Sequence, residues 1–379
     1  MSEVKVVPVD DRTGISAFIA AGRRAQATNP RWVEPFHEEI RMTFSTRRAP
    51  FRRENVVQPF VAFRDGEPIG RIVATINSAH LRAFDDACGF FGFIDAIDDP
   101  AAFAALFAAA EDFLRARGMR LSRGPFSLTI NHESGLLVDG FDAPHVVRTN
   151  HAPPFYARQI ERLGYRKAID LVAYVCRVAE ARSRERFRAS AALKRYGPEI
   201  DIERLSYRTW SRDFKRVLAL YNDAWADNAW ATPVSDSEAS FIARLMLPAC
   251  RPGWIRIASF KGEDVALAMQ IPDANEALAG LRGKMLPIGF LKFLWRIHVR
   301  GVKRSRAPMT GIARKWRNTR VGATAVAALV AQSIEDARAA GVEEIEYSWM
   351  LETNVDAISA VRALPSRLSR TFRIYERPL

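Results

Sequence analysis

The chain has 379 residues, and its 56 lysines and arginines exceed its 43 aspartates and glutamates by 13. This length accommodates two or three domains, and the charge excess favours a polyanionic partner: nucleic acid, an acidic membrane surface or a phosphorylated cofactor. Three distant cysteines exclude a disulfide framework and a CxxC metal site. Residues 1–11 alternate polar and apolar side chains and lack a signal-peptide pattern, so we expect a cytoplasmic protein that binds no metal.

Strand and helix patterns alternate along the first half of the chain. The turn sequence Arg64-Asp65-Gly66-Glu67 separates two apolar runs and predicts a β-hairpin. The apolar run Phe90–Ile94 is typical of a buried central strand, and Asp99-Pro100 then begins an alanine-rich helix that ends at Gly118. The other predicted elements are a strand at 4–9, a helix at 14–28 and a helix–strand unit at 155–178.

The same order of elements returns in the second half, after a highly charged segment that we interpret as a helical linker. Its predicted elements are a strand at 202–207, helices at 214–225 and 237–247, a hairpin at 254–271, strands at 309–313 and 344–350 with a helix between them, and a terminal helix–strand unit. We therefore predict an α/β fold of two tandem domains, each a mixed, mostly antiparallel sheet flanked by helices. The predicted ranges are 1–179 and 198–379, with the linker at 180–197.

An internal repeat supports two related domains. Residues 102–118 (AFAALFAAAEDFLRARG) return without a gap as residues 325–341 (AVAALVAQSIEDARAAG), with eight identities at one constant offset. The match extends into the flanks, because Asn131 lies as far beyond the first helix as Asn354 lies beyond the second. We infer that one unit has been duplicated.

The apolar stretch Met285–Val299 is too short, and too often interrupted by charge, to span a bilayer. On a helix its cations and its large apolar residues would lie on different faces. This pattern fits either a basic amphipathic element on an anionic membrane surface or a surface helix packed on its own domain, and Trp295 between two cations favours lipid. The cationic face carries Lys292, Arg296 and Arg300, and the apolar face carries Phe290, Leu294 and Ile297.

A basic loop precedes the second copy of the repeated helix. Residues 314–323 (RKWRNTRVGA) lead from a predicted buried strand into the positive end of that helix, which suits a phosphate or pyrophosphate. Mobile cations and Gly322 would help such a ligand reach the backbone. An ordinary basic surface loop is the alternative. The candidate phosphate-binding residues are Arg314, Lys315, Arg317, Asn318, Arg320, Val321, Gly322 and Ala323.

The succession of strand, basic loop, helix, strand and Asn354 resembles the coenzyme A half of the GNAT acyltransferases, in which an Arg/Gln-x-x-Gly-x-Gly/Ala loop holds the pyrophosphate. The resemblance implies acyl-CoA as co-substrate, with Arg317 and Gly322 on the loop and Asn354 on the pantetheine arm. This loop departs from the family pattern, because Asn318 and Arg320 stand where glycines are usual.

The first copy of the repeat lies between the same predicted elements as the second, but no basic loop precedes its helix. Asp95, Asp98 and Asp99 precede its helix and would repel a pyrophosphate, so we expect no CoA there. Downstream lies a polar stretch whose side chains could take a proton from an amine or give one to a thiolate. The predicted catalytic residues are His132 and Glu133, the preferred pair, with His151 and Tyr156; each could instead be a hydrogen-bonded loop residue.

The aromatic segment 221–230 (YNDAWADNAW) falls between the first two helices of the second unit, where such acyltransferases contact the acceptor. Its two tryptophans could line an apolar slot, or could pack the domain. The predicted substrate-binding residues are Asn131, Trp225, Asn228 and Trp230.

Segments in both halves carry a wider resemblance: 90–95, 124–126, 131–137, 140–142, 221–230, 286–287 and 371–379. Through them the chain resembles a bacterial group of tandem GNAT-like proteins that includes the bacterial ceramide synthases. This implies N-acylation of a sphingoid base, 3-oxosphinganine or sphinganine, by direct attack on a fatty acyl thioester at the inner membrane. Two alternatives stay open: a tandem GNAT transferase acting on another amine or from aminoacyl-tRNA, and a non-catalytic lipid-binding scaffold. The lack of an aromatic stacking motif disfavours nucleic acid.

Overall fold

The computed structural model describes residues 2–143, 145–181 and 199–379. These form two compact units, each assembled from more than one stretch of the chain. The first takes in Met1–Leu171, Leu278–Leu286 and Arg370–Leu379, and the second takes in Val172–Ala277 and Pro287–Ser369. The predicted domain limits stay a prediction. Of the predicted linker, residues 180 and 181 are helical, as are residues 178 and 179, and residues 182–197 lie outside the described residues.

The sheet of the first unit is mixed, as predicted. Its strand order is β1-β2-β3-β4-β5-β13, with β6 also paired to β13. Every pair in this order is antiparallel except β4 and β5, which are parallel. The strands are β1 (Lys5–Pro8), β2 (Val56–Arg64), β3 (Glu67–Ile76), β4 (Cys88–Ala96), β5 (Leu121–Gly124), β6 (Leu136–Asp139), the start of β7 (Arg166–Arg177) and most of β13 (Ser366–Pro378).

Helices cover both faces of this sheet. Strand β3 shows this, because its successive residues point to opposite sides and contact different helices. A Cβ on Gly70 would lie 2.8 Å from Leu106 of α5, whereas the guanidinium of Arg71 packs against Gly22 of α1. Both faces are apolar, and Phe18 and Leu106 are fully buried. The helices are α1 (Arg12–Ala25), α2 (His37–Thr43), α3 (Phe51–Glu54), α4 (Ser78–Ala83), α5 (Pro100–Arg115) and α6 (Phe155–Arg162).

The second unit repeats this plan. Its strands follow the order β8-β9-β10-β11-β12, all antiparallel except the parallel pair β11 and β12. The strands are β8 (Ile200–Arg204), β9 (Ile255–Phe260), β10 (Glu263–Pro272), β11 (Arg304–Ile312) and β12 (Glu344–Leu351). The helices are α7 (Trp210–Ala224), α8 (Asp236–Met246), α9 (Ala274–Leu278), α10 (Gly289–Trp295), α11 (Arg320–Ala339) and α12 (Val355–Arg362).

The repeated sequence corresponds to a repeated structure. Helices α5 and α11 each connect the two parallel strands of their unit, and five equivalent positions are buried in both, among them Leu106 and its counterpart Leu329. Both helices end in the same way. The amides of Met119 and Val342 donate to carbonyls five residues earlier, at 3.1 and 2.9 Å, and the preceding glycines adopt φ values of +81° and +74°. The sequence repeat therefore reports a duplicated βαβ frame.

The parallel strands of the second unit separate part-way along their length. Pairing between β11 and β12 runs from Arg304 and Glu344 to Ala307 and Tyr347, yet the strands continue to Ile312 and Leu351. We call this opening the fork. Past it, β11 and β12 no longer pair with each other. The first carbonyl of β12 there, that of Ser348, accepts a bond from Arg306 at 3.0 Å, and backbone groups further along can bind an extended ligand.

In the first unit the corresponding opening is closed by the chain itself. Pairing of β4 with β5 ends at Phe90 and Arg123. The backbone of Phe126 then enters, and its amide donates to the Phe91 carbonyl at 2.8 Å. Contact is so close that a Cβ on Gly92 would lie 1.7 Å from the Phe126 carbonyl oxygen.

This closure yields a stability prediction. We expect Gly92→Ala to lower the free energy of unfolding by about 2–3 kcal/mol, because the added methyl group must push backbone aside in a packed core. The control is Gly253→Ala, where an added Cβ meets no atom within 4 Å. Thermal and denaturant unfolding of both variants check this. Equal stability of the two variants would contradict the closed arrangement.

Candidate active site

The basic loop connects β11 to α11 through a tight turn. Arg314–Trp316 form one turn of 3-10 helix, and Asn318 follows with φ +58°, a left-handed conformation that asparagine tolerates next best after glycine. The Thr319 hydroxyl then caps α11 by accepting the Gly322 amide at 3.1 Å. The loop thereby places the positive end of a 20-residue helix after the strand that forms one side of the fork.

Three cations of this loop are held by carboxylates of the same unit. The Arg314 amide and side chain donate to Asp223 at 2.7 and 2.9 Å, Arg317 donates to Asp227 at 2.6 Å, and Lys315 pairs with Glu263. Partial burial raises the pKa of Asp223, but the bonds from Arg314 outweigh it, and the pKa is lowered overall. These ion pairs are largely solvent-exposed, so each is weak enough for a phosphate to displace.

Arg320 differs from the other loop cations. It is exposed at the first position of α11, and it makes no ion pair with any residue in the described parts of the chain. Gly322 was expected to let a ligand approach, but the atom closest to its Cβ position belongs to the same loop. A Cβ there would lie 2.3 Å from the Trp316 carbonyl oxygen. The glycine is therefore required by the loop itself.

The asparagine predicted to contact the pantetheine arm caps a helix. Asn354 follows β12, and its Oδ1 accepts the amide of Ala357 at 3.1 Å, which begins α12. This bond uses only the oxygen of the side chain, which also carries two N–H donors. Its counterpart Asn131 lies in a loop of the first unit, where its amide donates to the Thr129 hydroxyl at 3.1 Å.

The predicted acceptor segment lies against the same strand that leads into the basic loop. Trp225 stacks on Tyr221 with ring centres 4.8 Å apart, and it packs so closely on β11 that a Cβ on Gly311 would lie 2.5 Å from the indole. Asn228 continues the turn by donating its amide to the Trp225 carbonyl at 3.0 Å, and the half-buried Trp230 follows with φ +58°. Cofactor-loop and acceptor candidates thus meet in the second unit.

All four predicted catalytic residues lie in the first unit, and two of them have their polar atoms engaged in its interior. The Tyr156 hydroxyl is fully buried, accepts the Ala96 amide at 3.1 Å and donates to Asp95 at 3.3 Å. Burial, with Asp95 nearby, raises the pKa of this phenol well above its usual value. The His151 ring bonds Asn29 at 2.9 Å and the Phe141 carbonyl at 3.1 Å. Both residues hold the unit together in this structure.

His132 and Glu133 lie in the loop after β5. The His132 ring bonds the Thr129 hydroxyl at 2.9 Å, while Glu133 lies 3.9 Å from the Arg148 guanidinium. Burial, followed by the charge of Arg148, lowers the pKa of His132 to about 3. Its ring is therefore neutral at physiological pH, and a base of this pKa takes up protons poorly near pH 7.

Comparisons with known proteins agree with this geometry. The chain is 33% identical over 386 aligned positions to the "Bacterial ceramide synthase" of Caulobacter vibrioides, covering 100% of this chain and 98% of that protein. It is 32% identical to Protein YghO of Escherichia coli, covering 97% and 94% of the two chains. A tandem GNAT protein from the clavulanic acid biosynthesis pathway superposes with a TM-score of 0.56 at 10% identity, covering 99% and 98%. No protein-family model matches the chain.

The chain belongs to the bacterial ceramide synthase family. Its fold is the tandem GNAT fold, as predicted. The predicted enzyme class, an acyl-CoA-dependent N-acyltransferase, is confirmed by the same comparisons. The catalytic and binding residues named above stay predictions for this member of the ceramide synthase family.

One buried polar group at the fork of this ceramide synthase family member was missed by the sequence reading. Arg306 donates from Nε to the Ser348 hydroxyl at 3.0 Å, and that hydroxyl donates to Glu346 Oε1 at 2.7 Å. All three side chains are buried, and Ser348 is the first residue of β12 past the paired region. The sequence did carry one indication of this group: each of the two predicted parallel strands contains a charged residue, at positions 306 and 346. The group can pass a proton between a hydroxyl and a carboxylate.

Two other polar clusters of this family member do not fit a cofactor. His80, Asp86 and Cys88 lie close enough to bind a metal ion, but burial raises the pKa of the Cys88 thiol to about 12 and Arg123 already pairs with Asp86 at 3.2 Å. A cleft of about 330 Å³ in the second unit is bordered by four carboxylates and two cations, and its Arg216 already pairs with Glu203 and Asp264. The excess of carboxylates repels phosphates. Its acidic residues are Glu199, Asp201, Glu203 and Asp264.

The low pKa of His132 predicts a pH effect on stability. The unfolded ring takes up a proton below about pH 6.5 and the folded ring does so only near pH 3, so stability is complete above 6.5 and is lost as pH falls. Between pH 7 and pH 5 we expect the wild type to lose about 1–2 kcal/mol more than His132→Asn. Denaturant unfolding at both pH values measures this, with His298→Asn as the control. Equal losses in wild type and His132→Asn would show that His132 titrates normally.

Proposed function

We propose that this enzyme transfers a fatty acyl group from acyl-CoA to the amine of a sphingoid base, 3-oxosphinganine or sphinganine. One observation carries the donor side of the proposal: a basic loop and a helix N-terminus follow the strand that opens the fork of the second unit. The acceptor follows from the name of the relative in Caulobacter vibrioides, which covers the whole chain.

The pyrophosphate of the donor would bind at the start of α11. Arg320 supplies an exposed guanidinium, and the first turn of the helix supplies backbone N–H groups and the positive end of its dipole. Arg314 and Arg317 could join by exchanging their carboxylate partners for phosphate oxygens. The pantetheine arm would run along the fork toward Asn354, so the thioester lies near the buried group of Arg306, Ser348 and Glu346.

The reaction we propose is a direct displacement. The neutral amine nitrogen forms a bond to the thioester carbonyl carbon, the carbon–sulfur bond breaks, and the electron pair leaves with the CoA thiolate. The nitrogen then gives up one N–H proton as the amide forms, and the thiolate takes up a proton, so the products are the N-acylated base and the free thiol of CoA. The amine must first lose the proton of its ammonium form to a base. The predicted pair His132 and Glu133 remains one proposal for that base, and the Ser348 hydroxyl backed by Glu346 is a second, supported by its place at the fork.

The apolar acceptor would lie along the aromatic segment of the second unit. Trp225 is held against β11, and Trp230 follows after one turn. Since Asp223 and Asp227 belong to the same segment, an ammonium group would find carboxylates beside an apolar wall. We place the enzyme at the cytoplasmic face of the inner membrane, where long-chain bases and acyl chains partition.

Arg320 tests the donor site. We expect Arg320→Ala to raise the KM for acyl-CoA about tenfold, the effect of removing one charge-assisted phosphate contact, and to leave the KM for the amine within about twofold. Arg367→Ala, an exposed arginine of the same unit, is the control. Steady-state kinetics with each substrate varied measure both values. An unchanged KM for acyl-CoA would remove Arg320 from the donor site.

The substrate class has its own test. Purified enzyme with a long-chain acyl-CoA should release free thiol faster when sphinganine or 3-oxosphinganine is added, and mass spectrometry should find the N-acylated base. Thiol release that responds to other amines but ignores the long-chain base would reject the ceramide assignment. The absence of both release and acyl-CoA binding would favour the scaffold alternative, and tRNA retention at moderate salt would favour the tRNA-dependent one.

A further inference from the structure

Nearly all of the net positive charge lies in one segment of the sequence. Residues 277–334 contain twelve lysines and arginines and no aspartate or glutamate, so they supply twelve of the 13 excess charges. In the fold, Arg306 is buried and three cations of the basic loop pair with carboxylates. Lys292 and Arg300, on α10 and the π-helical turn Arg296–Arg300 that continues it, are exposed. Exposed positive charge on one surface element indicates a polyanionic partner for that element.

Helix α10 and its continuation are fixed to the second unit by one narrow inner face. Phe293 and Ile297 are 5% and 0% exposed. Arg296 donates to the Ala277 carbonyl at 2.7 Å, and His298 donates to the Pro248 carbonyl at 2.8 Å. Of the predicted apolar face, Ile297 lies in the core, as the packed-helix alternative expects. Arg296 of the predicted cationic face donates to backbone instead of pointing to a ligand.

The opposite face of this helix is apolar and open to solvent. Its large side chains are spaced three or four residues apart, so they form one continuous line, which we call the outer stripe. The outer stripe consists of Ile288, Leu291, Trp295 and Val299, which are 67%, 65%, 52% and 72% exposed. Exposed Lys292 and Arg300 lie beside it. Four neighbouring large apolar side chains in water indicate a binding surface rather than ordinary surface composition.

We propose that the outer stripe and its flanking cations dock this enzyme on an anionic lipid surface. Leucine, isoleucine and valine side chains would enter the acyl boundary, Trp295 would lie at the headgroup level, and Lys292 with Arg300 would contact lipid phosphates. None of the helices in the described ranges is long and apolar enough to cross a membrane, so the contact is lateral. It deepens the proposed function, because it brings the enzyme to the phase in which its substrates dissolve.

The charge pattern argues against a second copy of the chain as the occupant. Two outer stripes packed face to face would bring Lys292 and Arg300 of both copies together, with no acidic residue nearer in sequence than Glu276 and Glu335 to offset them. Like charges at such an interface repel. An anionic membrane surface supplies both the apolar volume and the opposite charge.

Vesicle flotation tests the proposal without using activity. Wild-type enzyme should float with vesicles of phosphatidylcholine containing about a quarter phosphatidylglycerol and bind pure phosphatidylcholine vesicles less well. Leu291→Ser/Trp295→Ser and Lys292→Glu/Arg300→Glu should each bind the anionic vesicles at least about tenfold more weakly. The matched controls are Leu368→Ser, an apolar residue 48% exposed elsewhere, and the exposed cation variant Lys5→Glu; both should bind like wild type.

Several results would overturn the proposal. The first is that the wild-type enzyme does not float with anionic vesicles. The second is that the stripe variant or the charge variant floats like wild type. The third is that Leu368→Ser weakens vesicle binding as much as the stripe variant does. A change of sedimentation coefficient in the stripe variant without vesicles would assign the surface to self-association instead. Thermal unfolding of every variant checks that the fold is retained, and the charge variant tests the surface independently of apolar packing.

Failure of the docking surface and failure of the proposed function remain distinguishable. None of the stripe residues is among the predicted donor and acceptor residues or the buried group at the fork, so thiol release from acyl-CoA with a detergent-dispersed base should be within about twofold of wild type in the stripe variant. The same variant should be slower when the base is embedded in anionic vesicles. Normal vesicle binding without any acyl transfer would reject the proposed function and keep the docking surface.

Discussion

The separation of two parallel strands is the constraint on which the second unit depends. A β-ladder satisfies the backbone groups of both strands, so strands that diverge must find other partners for those groups. In the second unit β11 and β12 diverge after four residue pairs, and the helix that joins them starts from a capped, positively charged turn. On the proposed function, this one βαβ connection would supply an extended slot and an anion site along a single path, which is the arrangement that a phosphorylated thioester needs.

The two copies show how one frame can keep or lose a ligand site through a few contacts. In the first unit Phe126 occupies the opening, and the carboxylates before α5 are neutralised from within: Asp95 by Arg71 at 2.6 Å and Asp99 by Arg64. These pairs stabilise the unit and leave no positive pole for a phosphate. Five buried positions and the helix end are shared by α5 and α11, whereas the loops before the two helices differ. The packing positions of the repeat are therefore more alike than its loops.

Local chemistry made much of the fold predictable. Turn residues, capping residues and apolar periodicity located the hairpins, the repeated helices and the basic loop within a few residues of their positions. Long-range partners were not predictable, because the ion pairs of Arg314 and Arg317 join segments about ninety residues apart. Which side of α10 is exposed was left open by the sequence, since either of two apolar faces could have turned inward. Glu346 and Ser348 escaped notice because alternate polar residues in a strand usually point to solvent, whereas here both are buried.

The pairing of Asp223 and Asp227 with loop arginines has a consequence for the order of substrate binding, on the basis of the proposed donor site. Without donor, Arg314 and Arg317 offset the charges of Asp223 and Asp227, so an ammonium group meets little net negative charge there. When pyrophosphate takes over the two guanidiniums, the carboxylates are released beside Trp225. The donor would then create the negative charge that attracts an ammonium group, and the aromatic segment would act as a counter-ion switch that favours acyl-CoA entering first.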